Sequence, residues 1–189
     1  MPEKITVVGD GAMGTVCALI LSGNGHAVRM WSAFPELAEQ LRTTRENSRF
    51  LPGVPLPESI EFTSDDATCF DGTTMVVSAV PTQFLRSVWT RLAPHFPADL
   101  PIISCTKGIE INTRLRPTQI IDDTLKSAGK SARLCALSGP NIAGEIARQL
   151  PATAVAATSD LELAQRVQAA FSNRYFRVYT NDDIIGVEI

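Results

Sequence analysis

The sequence has little of what would betray a metal, membrane or nucleic-acid protein. It holds four cysteines, Cys17, Cys69, Cys105 and Cys135, with no C-x-x-C pair, and two histidines, His26 and His95, far apart. A zinc site needs such ligands clustered, so no metal is expected. No stretch approaches the roughly 18 apolar residues that span a bilayer, and the short run before Gly9 is no signal-peptide core, so the expected place is the cytoplasm without membrane insertion. Lys and Arg number 17 against 20 Asp and Glu, a net charge of −3 without a block of one sign, which argues against nucleic acid as a partner. There is no repeat, no low-complexity tract and no flexible linker. A chain of 189 residues buries roughly 70% of its unfolded surface and needs no disulfide to hold a core. Three of the cysteines lie in apolar stretches, where a thiol packs as a small hydrophobe, as in a reducing compartment.

What is present is alternation. Short apolar runs at Lys4–Val8, His26–Trp31, Ile60–Thr63, Met75–Val80, Pro101–Cys105, Arg133–Leu137, Thr153–Ala157 and Phe176–Tyr179 read as strands. Between them, helical periodicity covers Ala12–Ser22, Pro35–Glu46, Gln83–Leu92, Arg114–Ser127, Ile142–Gln149 and Asp160–Phe171. The Pro-rich Phe50–Ser59 segment reads as an ordered loop. Such a pattern predicts an α/β fold, a doubly wound and mostly parallel Rossmann-like sheet with helices on both faces.

Directly after the first strand stands Gly9-Asp10-Gly11-Ala12-Met13-Gly14, a G-x-G-x-x-G that opens a helix. In a dinucleotide site Gly9 makes the tight turn, Gly11 lets the backbone approach a pyrophosphate, and Gly14 lets helix and strand pack closely. A glycine cluster that ends a strand for steric reasons alone is the competing reading. About 20 residues on, where an acid would hold the ribose 2′-hydroxyl of NAD, stand Trp31-Ser32-Ala33. With no carboxylate there, NADP is as admissible as NAD. Glu36, Arg42 and Arg45 are the nearest charges, on a helix that reads as a solvated face, and Asp10 reads as pointing to solvent.

Two further places attract attention. "PIISCTKGIE" puts Lys107 just past the carboxyl end of a strand, where open α/β sheets bind ligands. It is either a cation for a substrate oxygen or a solvated loop lysine, while Cys105 reads as core. "ALSGPNIAGEIAR" follows a strand with Gly139, with Pro140 in the expected first turn of a helix and Asn141 beside it. That is either a second site for an oxygen-rich ligand or plain capping.

Together, "VVGDGAMGT", "NSRFLPGVPLP", "SAVPTQFLR", "TKGIE", "LSGPNIAGEIA" and "FRVYTNDDIIGVE", in this order, resemble the N-terminal half of the NAD(P)-dependent glycerol-3-phosphate dehydrogenases. The resemblance spans essentially the whole chain, residues 1–189, and implies an NAD(P)-binding domain. It implies hydride transfer between the nicotinamide and glycerol 3-phosphate or dihydroxyacetone phosphate as the small-molecule substrate. Carried over by position, Gly9, Gly11, Ala12, Met13 and Gly14 match the pyrophosphate loop, and Trp31 and Ala33 the adenosine-ribose end. Phe50, Phe84 and Ala143 match other cofactor contacts. Lys107 matches a lysine that meets both cofactor and substrate, and Gly139 and Asn141 match substrate-side positions. Many bacterial members carry a basic residue where Ala33 stands, which leaves the choice between NAD and NADP open. The family continues into "LKN", whose lysine handles the proton, and into an all-helical substrate domain, neither of which this sequence contains. The expectation is a domain that binds the cofactor with little or no turnover and leaves an apolar face exposed, so that it self-associates or dissolves poorly, with a homodimer expected of the full-length enzyme. The rivals are the cofactor domain of another dehydrogenase, of ketopantoate reductase or hydroxyacyl-CoA dehydrogenase type, and a non-catalytic dinucleotide-sensing module.

Overall fold

A computed structural model of the chain describes residues 2–189. Eight strands form one sheet in the order β3-β2-β1-β4-β5-β6-β7-β8. They are β1 (Lys4–Val8), β2 (Ala27–Trp31), β3 (Ile60–Thr63), β4 (Met75–Ser78), β5 (Ile102–Ser104), β6 (Leu134–Ser138), β7 (Ala152–Ala157) and β8 (Phe176–Asn181). The helices are α1 (Ala12–Gly23), α2 (Pro35–Thr44), α3 (Thr82–Leu92), α4 (Pro117–Ser127), α5 (Ala143–Ala147), α6 (Leu161–Phe171) and α7 (Ile184–Glu188). The doubly wound α/β class expected from the alternation is the one observed.

Strand alternation sorts the core into two layers. Ile5 and Val7 of β1, with Val28, Met30, Met75 and Val77, face α1 and α6 through Val16, Ile20, Leu163 and Val167. Val8 points to the other face, with Val76 and Ile102, against Leu85 and Trp89 of α3 and Ile120 and Leu125 of α4. Thr6 shares that second face, and its hydroxyl is satisfied by the Cys69 carbonyl at 2.8 Å. Strands covered on both faces must be apolar nearly throughout, which is why these runs lack a polar partner at every second position.

Four elements depart from the sequence-based reading. The strands β1 to β6 run parallel, but β7 pairs antiparallel to β6. The helix between them is the reason. It was expected over Ile142–Gln149 with Pro140 in its first turn, and it spans only Ala143–Ala147 with Ile142 as its cap. Five helical residues climb about 7 Å, too little to carry the chain back along a strand for a parallel crossover. Helix α4 begins at Pro117 rather than at Arg114, which sits in the left-handed region at φ 60°. The short helix α7 was not expected at all. Among the described residues no helix is long and apolar enough to cross a membrane.

Candidate nucleotide-binding site

The strand order turns between β1 and β4, the switch point at which open α/β sheets hold ligands beyond the carboxyl ends of their strands. A groove of about 590 Å³ lies there, lined by residues 11–13, 79–84 and 105–109. A larger hollow of about 730 Å³ on the outer side of α1, lined by Leu19, Val54, Ile146 and Tyr175 among others, contains none of the residues singled out from the sequence.

The three loop glycines are there for different reasons. Gly9 has φ 111°, and a Cβ on it would stand 2.8 Å from the Ala79 carbonyl oxygen. A Cβ on Gly14 would stand 2.1 Å from the Gly9 carbonyl oxygen. Both are dictated by the protein's own packing. Gly11 has φ −70° and ψ 178°, a conformation open to any residue, and beyond its own and the adjacent residues no heavy atom lies within 4 Å of where its Cβ would be. Packing alone does not require a glycine there. Gly11 is also the N-cap of α1, with no side chain capping it and no acid in the first turn, so the helix presents free N–H groups and its positive end beside the groove. The open space beside Gly11 and the uncapped N–H groups of α1 would fit a pyrophosphate.

The loop is held by a residue that sequence reading passed over. Asn47, 1% exposed, donates its side-chain amide to the Asp10 carbonyl and to Thr15 Oγ1, both at 2.8 Å. Nothing in periodicity marks Asn47, because its partners lie 37 and 32 residues back; the signal was its place at the head of the Pro-rich loop. Asp10 corrects an expectation. Its carboxylate does not point to solvent but accepts a hydrogen bond from Ser32 Oγ, at the end of β2.

Lys107 is exposed in the groove, and no ion pair among the described residues uses its ammonium. Its backbone is fixed from two sides. The Lys107 carbonyl accepts from Thr82 Oγ1 of α3, and the Gly108 amide, at φ 95°, donates to the Glu188 carbonyl at 3.1 Å. The Glu188 carboxylate is buried against the Thr118 amide at 2.7 Å, the Thr118 hydroxyl at 2.8 Å and Arg116, which anchors α7 under the lysine loop. Beneath Lys107 a small cavity is lined by Met13, Cys17, Cys105 and Asn141. The Oδ1 atom of Asn141 is buried with no partner, an acceptor that a ligand donor would satisfy. Cys17 and Cys105 lie Sγ to Sγ at 3.8 Å, and the contact with Cys105, together with burial, holds the Cys17 thiol well above its usual range. Such thiols pack and do not react.

The structure therefore brings Gly11, Ala12, Met13, Phe84 and Lys107 to one groove, with Asn141 on the separate small cavity that Met13, Cys105 and Lys107 also line. Phe84 is 63% exposed and forms part of its wall. Other residues carried over by position stand apart. The Trp31 indole is buried in the second core layer, its Nε1 donating to Asp66 at 3.1 Å, so Trp31 offers the loop only its backbone, through the Gly9 amide at 3.0 Å. Phe50 lies outside the groove, on the turn that Asn47 closes, and Ala33 packs against the second core layer. A Cβ on Gly139 would meet the Thr153 carbonyl oxygen at 2.4 Å, so packing accounts for that glycine, and Ala143 packs against the first core layer.

Residues 4–164 match the family described as NAD-dependent glycerol-3-phosphate dehydrogenase N-terminus. The chain belongs to that family. It is 44% identical, over all 189 residues, to a glycerol-3-phosphate dehydrogenase [NAD(P)+] of Geobacter sp., of which it covers 56%. A Bacillus pumilus relative of the same name is 41% identical over 187 residues and is covered to 54%. The chain thus spans little more than half the length of these curated relatives. Among solved structures, glycerol-3-phosphate dehydrogenase from Coxiella burnetii superposes with a TM-score of 0.91 at 30% identity, covering 99% of this chain and 56% of the other. A ketopantoate reductase from Ralstonia eutropha, at 17% identity and a TM-score of 0.68, covering 98% of this chain and 58% of that one, shares the fold alone.

Proposed function

We propose that these residues bind NAD or NADP across the carboxyl edge of the sheet and form the nucleotide-binding half of an enzyme interconverting glycerol 3-phosphate and dihydroxyacetone phosphate. The observation that carries this reading is Gly11, a glycine whose backbone angles and surroundings make no demand for one. Its bareness serves a ligand that comes close to the backbone at the start of α1.

Within that reading each groove residue has a task. The free N–H groups that open α1 receive the pyrophosphate, and Phe84 flanks the groove as an apolar wall. The nicotinamide, when bound, supplies or takes the hydride. The Lys107 ammonium, unpaired and held in place through Thr82 and Gly108, meets the negative charge that grows on the carbonyl oxygen of the substrate during reduction. Asn141 presents an acceptor to a substrate hydroxyl. We assign the remaining parts of the reaction, and any pairing into a homodimer, to the longer enzyme that the relatives represent. The exposed apolar side chains of Phe84 and Ile109 at the groove support a partner surface there. We place the enzyme in the cytoplasm, in keeping with four cysteines that are all free and buried.

Titration of the chain with NADH, followed through the reduced nicotinamide's own fluorescence, tests the assignment. Saturable binding that inorganic pyrophosphate competes away is expected, and a folded chain that binds no dinucleotide overturns it. In the whole enzyme Lys107→Ala is expected to lower kcat/KM by at least about a hundredfold, the scale of one lost oxyanion donor; an unchanged value removes Lys107 from the site.

A further inference from the structure

The sequence offers no acid at the end of β2, yet the fold places one there. In dinucleotide folds the ribose 2′-oxygen meets the end of the second strand, where a carboxylate receives the hydroxyl of NAD or an arginine accommodates the phosphate of NADP. Here the carboxylate comes from inside the glycine loop. Asp10 accepts from Ser32 Oγ across 22 residues of chain. Ser32 is 2% exposed, and its Oγ also accepts from the Phe34 amide at 3.1 Å, so the contact is held on the strand side. On the loop side the Asp10 carbonyl is held by Asn47 at 2.8 Å. The Asp10 carboxylate is thus fixed where β1 and β2 end side by side.

The cations around this point are otherwise engaged. Arg91 of α3 reaches the end of β2, but its guanidinium pairs with Asp66, donates to the Ala33 carbonyl at 3.0 Å and lies 5.0 Å from the centre of the Trp31 ring. Arg49 lies over the Phe50 ring at 4.9 Å, and Arg42 pairs with Glu39 on the exposed side of α2. Of these only Arg49 lacks a carboxylate partner among the described residues, and none of the three makes a hydrogen bond to Asp10 or Ser32.

We propose that Asp10 sets the cofactor choice and that the chain takes NAD(H) in preference to NADP(H). The inference rests on the dinucleotide reading above. A carboxylate in this place accepts a hydrogen bond from a 2′-hydroxyl, and the same carboxylate repels a 2′-phosphate, which would set two anions side by side with no cation between them.

Calorimetric titration of NADH and NADPH into the chain and into Asp10→Asn tests this. The amide keeps an acceptor for Ser32 and removes the charge. NADH is expected to bind at least about tenfold more tightly than NADPH, a factor equal to about 1.4 kcal/mol. Asp10→Asn is expected to close most of that gap from both sides, strengthening NADPH binding by removing the repulsion and weakening NADH binding as the 2′-hydroxyl loses its charged acceptor. Ala33→Arg, which adds a cation at the same end, is expected to strengthen NADPH binding as well. The proposal is overturned if NADPH binds the unaltered chain as well as NADH, or if Asp10→Asn leaves the ratio unchanged while circular dichroism shows a folded variant. If neither dinucleotide binds a folded chain, the dinucleotide reading itself falls and takes this one with it.

Discussion

The chain contains two strand–glycine–helix turns that look alike on paper, Val8-Gly9-Asp10-Gly11 after β1 and Ser138-Gly139-Pro140-Asn141 after β6. In three dimensions they are opposites. The first opens onto the groove, with a glycine that nothing in the protein crowds and a helix of 12 residues starting beside it. The second is closed by its neighbour, since β7 doubles back antiparallel and brings the Thr153 carbonyl to 2.4 Å from a Cβ on Gly139. The helix that follows has only five residues. A glycine after a strand is therefore not a ligand signal in itself. What decides is whether the next strand leaves the turn open, and that depends on a pairing made many residues later.

Glycine-to-alanine changes put the contrast to its hardest test. Gly14→Ala drives a methyl into the Gly9 carbonyl, both of them backbone or close to it, and is expected to cost about 3 kcal/mol, at the upper end for overpacking, and to abolish NADH binding. Gly139→Ala meets backbone at a similar distance and is expected to destabilise by about 2 kcal/mol. Its NADH affinity should stay within about threefold of the original, because that turn is closed to the nucleotide. Gly11→Ala is expected to reverse this pattern. At φ −70° an alanine fits and lowers the conformational entropy of the unfolded chain, a gain opposed by alanine's poorer N-capping, so stability should change by no more than about 1 kcal/mol. NADH affinity should nevertheless fall about tenfold or more. Urea unfolding and calorimetry on the three variants read both quantities, and a Gly11→Ala chain that binds NADH normally would erase the distinction between the two turns.

The same contrast shows what the sequence made legible. Local features came through: the apolar runs of β1, β4 and β5, the glycine loop and Lys107 at the end of β5. The parallel order followed from helices long enough to cross over, and it failed at α5, where the helix was read too long and the antiparallel β7 was missed. The parts of the site made by distant pairing were invisible. Asn47 reaching Thr15, Asp10 reaching Ser32 and Glu188 reaching Thr118 are contacts across 32, 22 and 70 residues that no window along the chain contains. The Trp31 position was legible, but not that its indole would turn into the core.

Asn47 separates the clamp of the open turn from the turn itself. Asn47→Ala leaves the Asp10 carbonyl and the Thr15 hydroxyl without their donor in a buried place, at a cost of about 1–3 kcal/mol. Because the clamp positions the loop without meeting the nucleotide, NADH affinity is expected to fall several-fold, less than in Gly11→Ala. A larger loss than in Gly11→Ala would mean that Asn47 contacts the ligand itself.

The smallest expected effect lies at the other end of β1, away from the groove. Glu3 receives the guanidinium of Arg166 of α6 and the hydroxyl of Thr74, and these contacts, Arg166 foremost, lower its pKa from 4.5 to about 2 against the opposing pull of burial. A carboxylate whose pKa is depressed by folding stabilises the fold fully above its unfolded pKa and loses that contribution as pH falls toward the folded value. The window is therefore pH 4.5 down to about 2. The neighbouring His26, which accepts from the Glu3 amide at 3.1 Å and is shifted below 6.5 by burial, begins a separate loss as pH drops under 6.5. Glu3→Gln is expected to flatten the stability profile below pH 4.5, enlarge the His26 step because the Glu3 charge opposes the downward shift of that imidazole, and leave NADH affinity at neutral pH unchanged. An altered NADH affinity would show that the latch between β1 and α6 reaches the nucleotide loop, and that the two ends of β1 are not independent.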